Sequence, residues 1–538
     1  MKTIGMILLA FSFFSFSIHI HAKSIEAQEE SVVDGNGSTI YSPTASTGFM
    51  DAGATYPKVI EVKNSSASNG SLIATFDQGK MENNRLVWPI YKSDDKGKNW
   101  TKIVDFTNDF SQYPLQMNPF LYEVERDTTY SKKGDILLAG ILKPEDESKT
   151  VLAIYKSSDL GKTWSLLSIV DEGGPADYDP SPDSTTTPIW EPALYLNGNG
   201  DLSVYYSDER QKNDDILQAL VMKTSTDGGK TWGALSNVVA VPNKHDRPGM
   251  LTMTQLPDNT FIASYEVVNK PSMTENFAQV YIKKSNDGIN WNANDLGTPI
   301  YSSDGRTPGS SPSITWVDDG SVNGKILIAS KWGINSLPGL EDNQNFYTNK
   351  NLGDGIWERE PLPVTFSSLD DSAHNTAYSQ SIIMSADNKQ IFQIVTVEND
   401  TSELNDVKFG SLPTRFQKYE AESAQLDNVR IVDHYDASEG EKVGDINFSN
   451  SRIKFTNVAV SEDGEYEMLI RYDNGYSQEA KHKLIINGVQ QSDVVYPKTK
   501  HWGRFQWVTV KIQLGEGINT IELSHKENFA EIDCIYIH

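Results

Sequence analysis

The sequence predicts an all-β protein, a six-bladed β-propeller followed by a β-sandwich of jelly-roll-like type. Three observations predict it. A turn of Ser, Asp, Gly and Trp recurs four times, and a pattern built on Pro recurs six times in phase with it. After Arg415 both patterns stop, and short alternating strands separated by Asn-Gly, Asp-Gly and Glu-Gly turns take over. No stretch shows a helical period.

The first repeat reads Ser93-Asp94-Asp95-Lys96-Gly97-Lys98-Asn99-Trp100, and returns as Ser157 to Trp164, Ser225 to Trp232 and, one residue shorter, Ser285 to Trp291. Ser and Asp oxygens take up nearby backbone N–H groups, Gly supplies a positive φ, and Trp packs back onto the sheet. The tryptophans stand 64, 68 and 59 residues apart, about one four-stranded sheet with its loops. The second repeat places Pro57, Pro119, Pro192, Pro248 and Pro312, with Ser379 in the sixth place, ahead of an apolar strand, a turn and another strand. Six units between residues 50 and 415 predict six blades, the architecture that buries such repeats without long open edges.

Two segments precede the array. Residues 1–22, with Lys2 ahead of the apolar run Ile4 to Ile18, read as a secretory signal, and residues 23–49 as a flexible leader. A secreted or periplasmic location follows. The single cysteine, Cys534, allows no intrachain disulfide. Among 538 residues the formal net charge is -26, which argues against nucleic acid and anionic membrane as partners. A neutral polysaccharide or oligosaccharide is compatible, and 11 Trp and 23 Tyr suit stacking on sugar rings. Nothing suggests an obligate partner, so a monomer is expected.

In a propeller, the residues just before each innermost strand face one another around the axis. They are Tyr56, Asn118, Trp190 with Glu191, Arg247, Ser311 and Tyr378. Acid, cation, amide, hydroxyl and aromatic groups together are what a sugar pocket needs. Glu191 lies in the apolar context Pro188-Ile189-Trp190-Glu191-Pro192, and Glu266 ends the second strand of the next blade. Two carboxylates on adjacent blades suit glycoside hydrolysis, one as acid/base and the other as nucleophile or base.

The four turns are the Asp boxes of the sialidase-like superfamily, a resemblance that covers about residues 50–415 and speaks for fold more than activity. Trp190-Glu191-Pro192-Ala193-Leu194, Tyr205 to Arg210, Arg247-Pro248-Gly249-Met250 and Ser264-Tyr265-Glu266 resemble glycoside hydrolase family 93, the exo-α-L-1,5-arabinanases. Tyr56-Pro57-Lys58-Val59 and Tyr378-Ser379-Gln380-Ser381 fit the same pattern. The resemblance implies a retaining hydrolase releasing arabinobiose from the non-reducing end of arabinan, with Glu191 and Glu266 as the catalytic pair. It makes Tyr378 a supporting residue and requires no catalytic cofactor. Which Glu is the nucleophile stays open. Retention implies carboxyl groups about 5–5.5 Å apart. A sialidase is the rival on this fold, but its first clamp arginine is replaced by the Tyr56-Pro57-Lys58 segment, leaving only Arg247 and Arg306. No tyrosine nucleophile with a paired Glu is evident in the sequence either. A non-catalytic glycan-binding protein is the alternative from another class.

Residues 416–538 resemble carbohydrate-binding modules of families 6 and 35, through Tyr419-Glu420-Ala421-Glu422, Ile485-Ile486-Asn487-Gly488 and Ile532-Asp533-Cys534-Ile535. The resemblance implies a structural Ca²⁺ on Glu420, Glu422 and Asp533, and sugar contacts at Trp502, with Tyr435 and Asn528 behind it. Trp507 is read as core. Such a module would raise the local concentration of enzyme on a polymer by tethering.

Overall fold

The computed structural model describes residues 36–44, 52–65, 68–176, 179, 181, 184–269, 278–334, 340–367, 376–399 and 401–538. The signal segment 1–22 lies outside the described residues. Among them the only helical turns are Lys212–Asp214 and Ser438–Gly440.

Six antiparallel sheets follow one another along the chain, each beginning with an inner strand. These inner strands are Ala54–Glu61, Leu115–Glu123, Ile189–Leu196, Asp246–Gln255, Ser313–Val317 and Ser381–Met384. Each contacts the next, and the sixth contacts the first, so the inner strands form a ring. The second strands, such as Ile136–Lys143 and Leu202–Asp208, are buried along their whole length. They have a strand on each side and a neighbouring sheet against each face, so they carry apolar runs rather than strict alternation.

The ring closes on a strand that the sequence does not announce. Ser38–Tyr41, read above as part of a flexible leader, pairs antiparallel with Asn405–Pro413 and completes the sixth sheet. Ser38 Oγ also donates to Gly97 O at 2.5 Å. A Gly/Ser/Thr-rich segment is ordered here because the sixth sheet otherwise presents an unpaired edge.

The Asp-box turns are built as read. In the second, Gly161 N donates to Ser157 Oγ at 2.8 Å, Thr163 N to Asp159 Oδ1 at 2.9 Å and Trp164 Nε1 to Gly161 O at 2.9 Å. A fifth turn escapes the motif because Asn replaces Ser. From Asn349 to Trp357, the amides of Asn351 and Gly353 both donate to Asn349 Oδ1 at 2.8 Å, and Trp357 is buried.

Residues 417–538 form two six-stranded sheets packed face to face. Their shared core holds Val443, Phe455, Ile470, Leu484, Tyr496, Leu523 and Ile535. Between Asn405–Pro413 and the next strand, Gln417–Glu420, lie only three residues, so the sandwich is docked rather than tethered. One of its sheets is covered on both faces. The outer face places Leu469, Trp507, Cys534 and Tyr536 against Leu412 and Phe416. Trp507 therefore packs the junction, and its Nε1 donates to Leu362 O at 3.0 Å.

A polar seam surrounds this contact. Gln344 Nε2 donates to Gly503 O at 2.9 Å, and its Oε1 accepts from Phe505 N at 3.0 Å. Asn345 Nδ2 donates to Asp436 Oδ1 at 3.2 Å. Arg471 Nη1 donates to Asp436 O at 2.9 Å and Asp533 Oδ2 at 2.7 Å, and its Nη2 donates to Gln344 O at 3.3 Å. Arg471 and Asp533 are fully buried. Removing one partner of a buried ion pair leaves an uncompensated charge, so Arg471→Met is expected to cost about 3–5 kcal/mol. Urea unfolding of the full chain measures it, and a loss below about 1 kcal/mol would contradict the seam's role.

Candidate active site and sugar-binding surface

One end of the ring is shaped by a repeated irregularity. The pairing of the inner strand skips two residues in each of the first four sheets, between Thr55 and Lys58, Met117 and Phe120, Trp190 and Ala193, and Gly249 and Thr252. The first skipped residue is left-handed each time: Tyr56, Asn118, Glu191 and Met250, with φ of 52°, 56°, 59° and 57°. Ser311 and Ser379 hold the same conformation in front of the fifth and sixth inner strands. The residue that follows is Pro in four of the six sheets, where a bulge has no ladder hydrogen bond to lose. A left-handed non-glycine residue costs about 1–3 kcal/mol, and here the bulge turns its side chain toward the axis.

This corrects the sequence register at two places. The left-handed residue of the fourth sheet is Met250, with Leu251 where four other sheets have Pro, so Pro248 is not equivalent to those prolines. In the sixth it is Ser379, with Gln380 following, so Tyr378 stands one residue earlier. Alternation of strand residues carries no mark of a bulge unless Pro sits in it.

Glu191 is held from three sides. Its Oε1 accepts from the Tyr56 hydroxyl at 3.0 Å, and its Oε2 from Ser207 Oγ at 3.1 Å and Met250 N at 3.2 Å. Burial, and secondly the charge of Glu266, push its carboxyl up to about 7 despite these donors. Glu266 is also raised by burial, but Ser311 N donates to its Oε2 at 2.8 Å, and Ser310, Arg247 and Lys331 all pull it back down. The two acids thus sense each other from adjacent sheets in unequal surroundings.

The Tyr56 and Tyr378 rings meet edge to face with centroids 5.3 Å apart. Lys331 lies over the Tyr378 ring at 5.5 Å. Burial and Glu191 hold the Tyr56 phenol well above its ordinary range, so it is a hydrogen-bond donor rather than a phenolate. A tyrosine paired with a Glu, not evident in the sequence, is therefore present. Arg247 is buried, and its Nη2 donates to Glu209 Oε1 at 2.8 Å and Gln218 Oε1 at 2.6 Å. Trp190 Nε1 reaches the same Glu209 oxygen at 3.3 Å, which orients the indole beside Glu191. Arg306 pairs with Asp304 and lies over the Tyr435 ring at the seam, away from Arg247's partners.

Two buried charges were missed in the sequence. Lys58 Nζ donates to Ser379 O at 2.7 Å and Ser379 Oγ at 2.9 Å, joining the first sheet to the sixth. Asp77 Oδ2 accepts from Asn118 N at 2.8 Å and its Oδ1 from Trp88 Nε1 at 2.9 Å. Burial lowers Lys58 to about 7 and raises Asp77 to about 7, each opposed by the other's charge. A small cavity of about 20 Å³ beneath Glu191, lined also by Tyr56, Lys58, Asn118 and Ser379, has the size and polar walls for one water molecule. A larger one, about 530 Å³, runs toward the opposite end of the inner strands, past Glu61, Glu123 and Met384.

On the sandwich, Trp502 is 40% exposed and Tyr476 39%. Trp502 stacks on Phe529 with centroids 5.4 Å apart, and Tyr476 meets both rings edge-on. The Trp502 ring covers Gly475, where a Cβ would come within 2.6 Å of it. Asn528, next to Phe529, donates through Nδ2 to Glu479 O at 2.8 Å. Tyr435 does not join this platform. It stacks on His434, and Arg359 donates to its carbonyl, which places it in the seam. Tyr476 was missed because an exposed Tyr in a Gly-Tyr-Ser loop carries no pattern of its own.

At the start of the sandwich, Glu420 and Asp533 lie within 4.8 Å of each other, together with Cys534 Sγ. Glu420 Oε2 and Glu422 Oε2 are buried without a hydrogen-bond partner. Burial, then the charges of Glu420 and Asp533, push Glu422 up to about 8. Unpartnered carboxylate oxygens under mutual repulsion fit a hard divalent cation. Cys534 does not fit that ion, since burial holds its thiol well above its usual value. Glu420, Glu422 and Asp533 would hold the cation, which would pin the first and last strands together. Addition of Ca²⁺ to chelator-treated protein is accordingly expected to raise Tm. Glu422→Gln should abolish that rise while changing the metal-free Tm little, as read by calorimetry.

No helix among the described residues is long and apolar enough to cross a membrane. A BNR repeat-like domain matches residues 62–298, and carbohydrate binding module family 35 matches residues 417–538. Among solved structures, the family 93 α-L-arabinofuranosidase of Fusarium graminearum with arabinobiose is 28% identical, with a TM-score of 0.60, over 70% of this chain and 97% of its own. The α-L-arabinanase of Penicillium chrysogenum with arabinobiose is 28% identical, with a TM-score of 0.61, over 71% and 99%. No curated protein matches the chain. The ring of sheets thus shares its fold with glycoside hydrolases, and the sandwich that follows it resembles a carbohydrate-binding module.

Proposed function

We propose that this chain is a secreted, retaining glycoside hydrolase that cleaves α-L-arabinofuranosidic links from the end of arabinan, on a six-bladed β-propeller. The carrying observation is the pair Glu191 and Glu266, half-buried on adjacent sheets in unequal electrostatic surroundings. Likeness to an α-L-arabinofuranosidase and an α-L-arabinanase, each with arabinobiose bound, supports the substrate.

Glu191, raised to about 7, keeps its proton in a substantial fraction of molecules at neutral pH, and in that form it acts as the acid. It passes its proton to the leaving glycosidic oxygen while Glu266, whose carboxylate form Ser311 N–H, Arg247 and Lys331 favour against burial, attacks the anomeric carbon. The C–O bond breaks and a glycosyl ester forms on Glu266. Glu191, now a carboxylate, takes a proton from water, whose oxygen displaces Glu266 and restores both groups. Tyr56 orients Glu191 and Tyr378 supports Tyr56, while Trp190, Asn118 and Arg247 shape the pocket. The Trp502 platform with Asn528 binds sugar on the sandwich, which a Ca²⁺ held by Glu420, Glu422 and Asp533 would steady.

Wild type is expected to release a short arabino-oligosaccharide of retained configuration from linear arabinan. Glu191→Ala should lower kcat/KM about a hundred- to ten-thousandfold and Glu266→Ala should abolish turnover. Product analysis with NMR of the fresh anomer decides this, and binding without release by wild type would leave a glycan-binding protein instead. The pH profile gives a second check. Activity needs Glu191 protonated, so kcat/KM is expected to fall as pH rises through about 7. Tyr56→Phe removes a donor that favours the carboxylate, so the alkaline limb should move to higher pH; an unmoved limb would exclude Glu191 as the acid.

A further inference from the structure

The inner strand of each sheet begins at the bulged end of the ring, and the strands run antiparallel. The second strand therefore ends there, the third begins there and the fourth ends there. Gln344 and Asn345 open the third strand of the fifth sheet, and Leu362 follows its fourth. Glu398 ends the second strand of the sixth sheet, and Asn405 opens its third. Gln344, Asn345, Leu362 and Glu398 all contact the sandwich, so its polar seam reaches the end of the ring that carries Glu191 and Glu266, while Leu412 and Phe416 hold it farther along the sheet.

Between the two domains at this end lies a cleft of about 870 Å³. Its propeller wall includes Glu398, Glu403 and Asp406, and its sandwich wall Tyr476, Ser477 and Lys498. Lys500 to Glu398, at 3.3 Å, bridges the walls. Thr376, two residues before Tyr378, donates to Asn405 Oδ1 at 2.8 Å, and Asp406 is the next residue. Tyr378, in the turn ahead of the first strand of the sixth sheet, is thereby tied to this wall. At the other lip Tyr476 belongs to the Trp502 platform.

We propose that this cleft is a further glycan subsite, built by both domains, which holds an inner stretch of the same neutral polysaccharide whose end is cut at Glu191 and Glu266. The proposal rests on the hydrolase reading above. The volume is that of a ligand site, and both signs of charge line it together with an amide, hydroxyls and a tyrosine ring. Such a lining suits a neutral polyhydroxylated chain better than a polyanion. The fixed seam lets it act without loss of freedom between domains.

The test uses the full chain, Ser477→Trp to fill the cleft, and Glu403→Ala with Lys498→Ala to strip it. All three positions are exposed, and melting curves matching wild type verify the fold. Polymer affinity is read by electrophoresis through gels containing linear arabinan, galactan, xylan or mannan, and kcat/KM on linear arabinan and on its trisaccharide. Both cleft variants should lose about tenfold in affinity and in kcat/KM on polymer, with the trisaccharide unaffected. Unchanged polymer binding, equal losses on polymer and trisaccharide, or a wild type retarded by no polysaccharide would each overturn the cleft. Retardation lost only in Trp502→Ala would assign binding to the platform alone and also overturn it. A wild type that binds polymer through the cleft without cutting arabinan would overturn the substrate reading and leave the subsite standing.

Discussion

Closure of the ring is the constraint on which the site depends. Ser38–Tyr41 completes the last sheet from the opposite end of the chain, pairing Ser38 with Phe409. Only a closed ring brings the first sheet against the sixth, where Lys58 donates to Ser379 and Tyr56 meets Tyr378. Tyr56 in turn reaches across to Glu191 on the third sheet. The hydrogen bonds of the site therefore report on a junction made by residues more than three hundred positions apart.

Within that ring, electrostatics rather than covalent geometry distinguishes the two acids. Both are half-buried, and desolvation pushes both toward the neutral form. Glu191 receives neutral donors and the repulsion of its partner, whereas Glu266 receives a backbone N–H and two cations. The Lys58–Asp77 pair adds a second, self-compensating set of charges beneath Glu191. Such pairing is how charges persist in an interior that would otherwise expel them.

Much of this was legible in the sequence, because repeats announce themselves wherever turn chemistry demands particular residues. Four Asp boxes, the prolines in the bulges and the Asn-Gly and Asp-Gly turns located the sheets. The acids were legible because Glu191 interrupts an apolar run. What failed did so for physical reasons. The closing strand has four residues and no apolar period, and the fifth turn works with Asn in place of Ser. The bulges at Met250 and Ser379 lack Pro. Lys58 and Asp77 look like ordinary outward-facing strand residues, since charge on a strand says nothing of which way it points once a partner is buried with it. The seam was invisible for the same reason. Gln344, Asn345, Asp436 and Arg471 satisfy one another only in three dimensions.

The seam has a consequence for how such a protein can be rebuilt. Binding modules joined by loose linkers can be cut away or exchanged as independent parts. Here a cut near residue 416 would expose Trp507, Tyr536 and the buried guanidinium of Arg471 on one piece, and strand ends whose amides and carbonyls had lost their partners on the other. The two domains are in that sense a single inherited object. A transplanted sandwich would have to bring its matching strand ends from the fifth and sixth sheets with it.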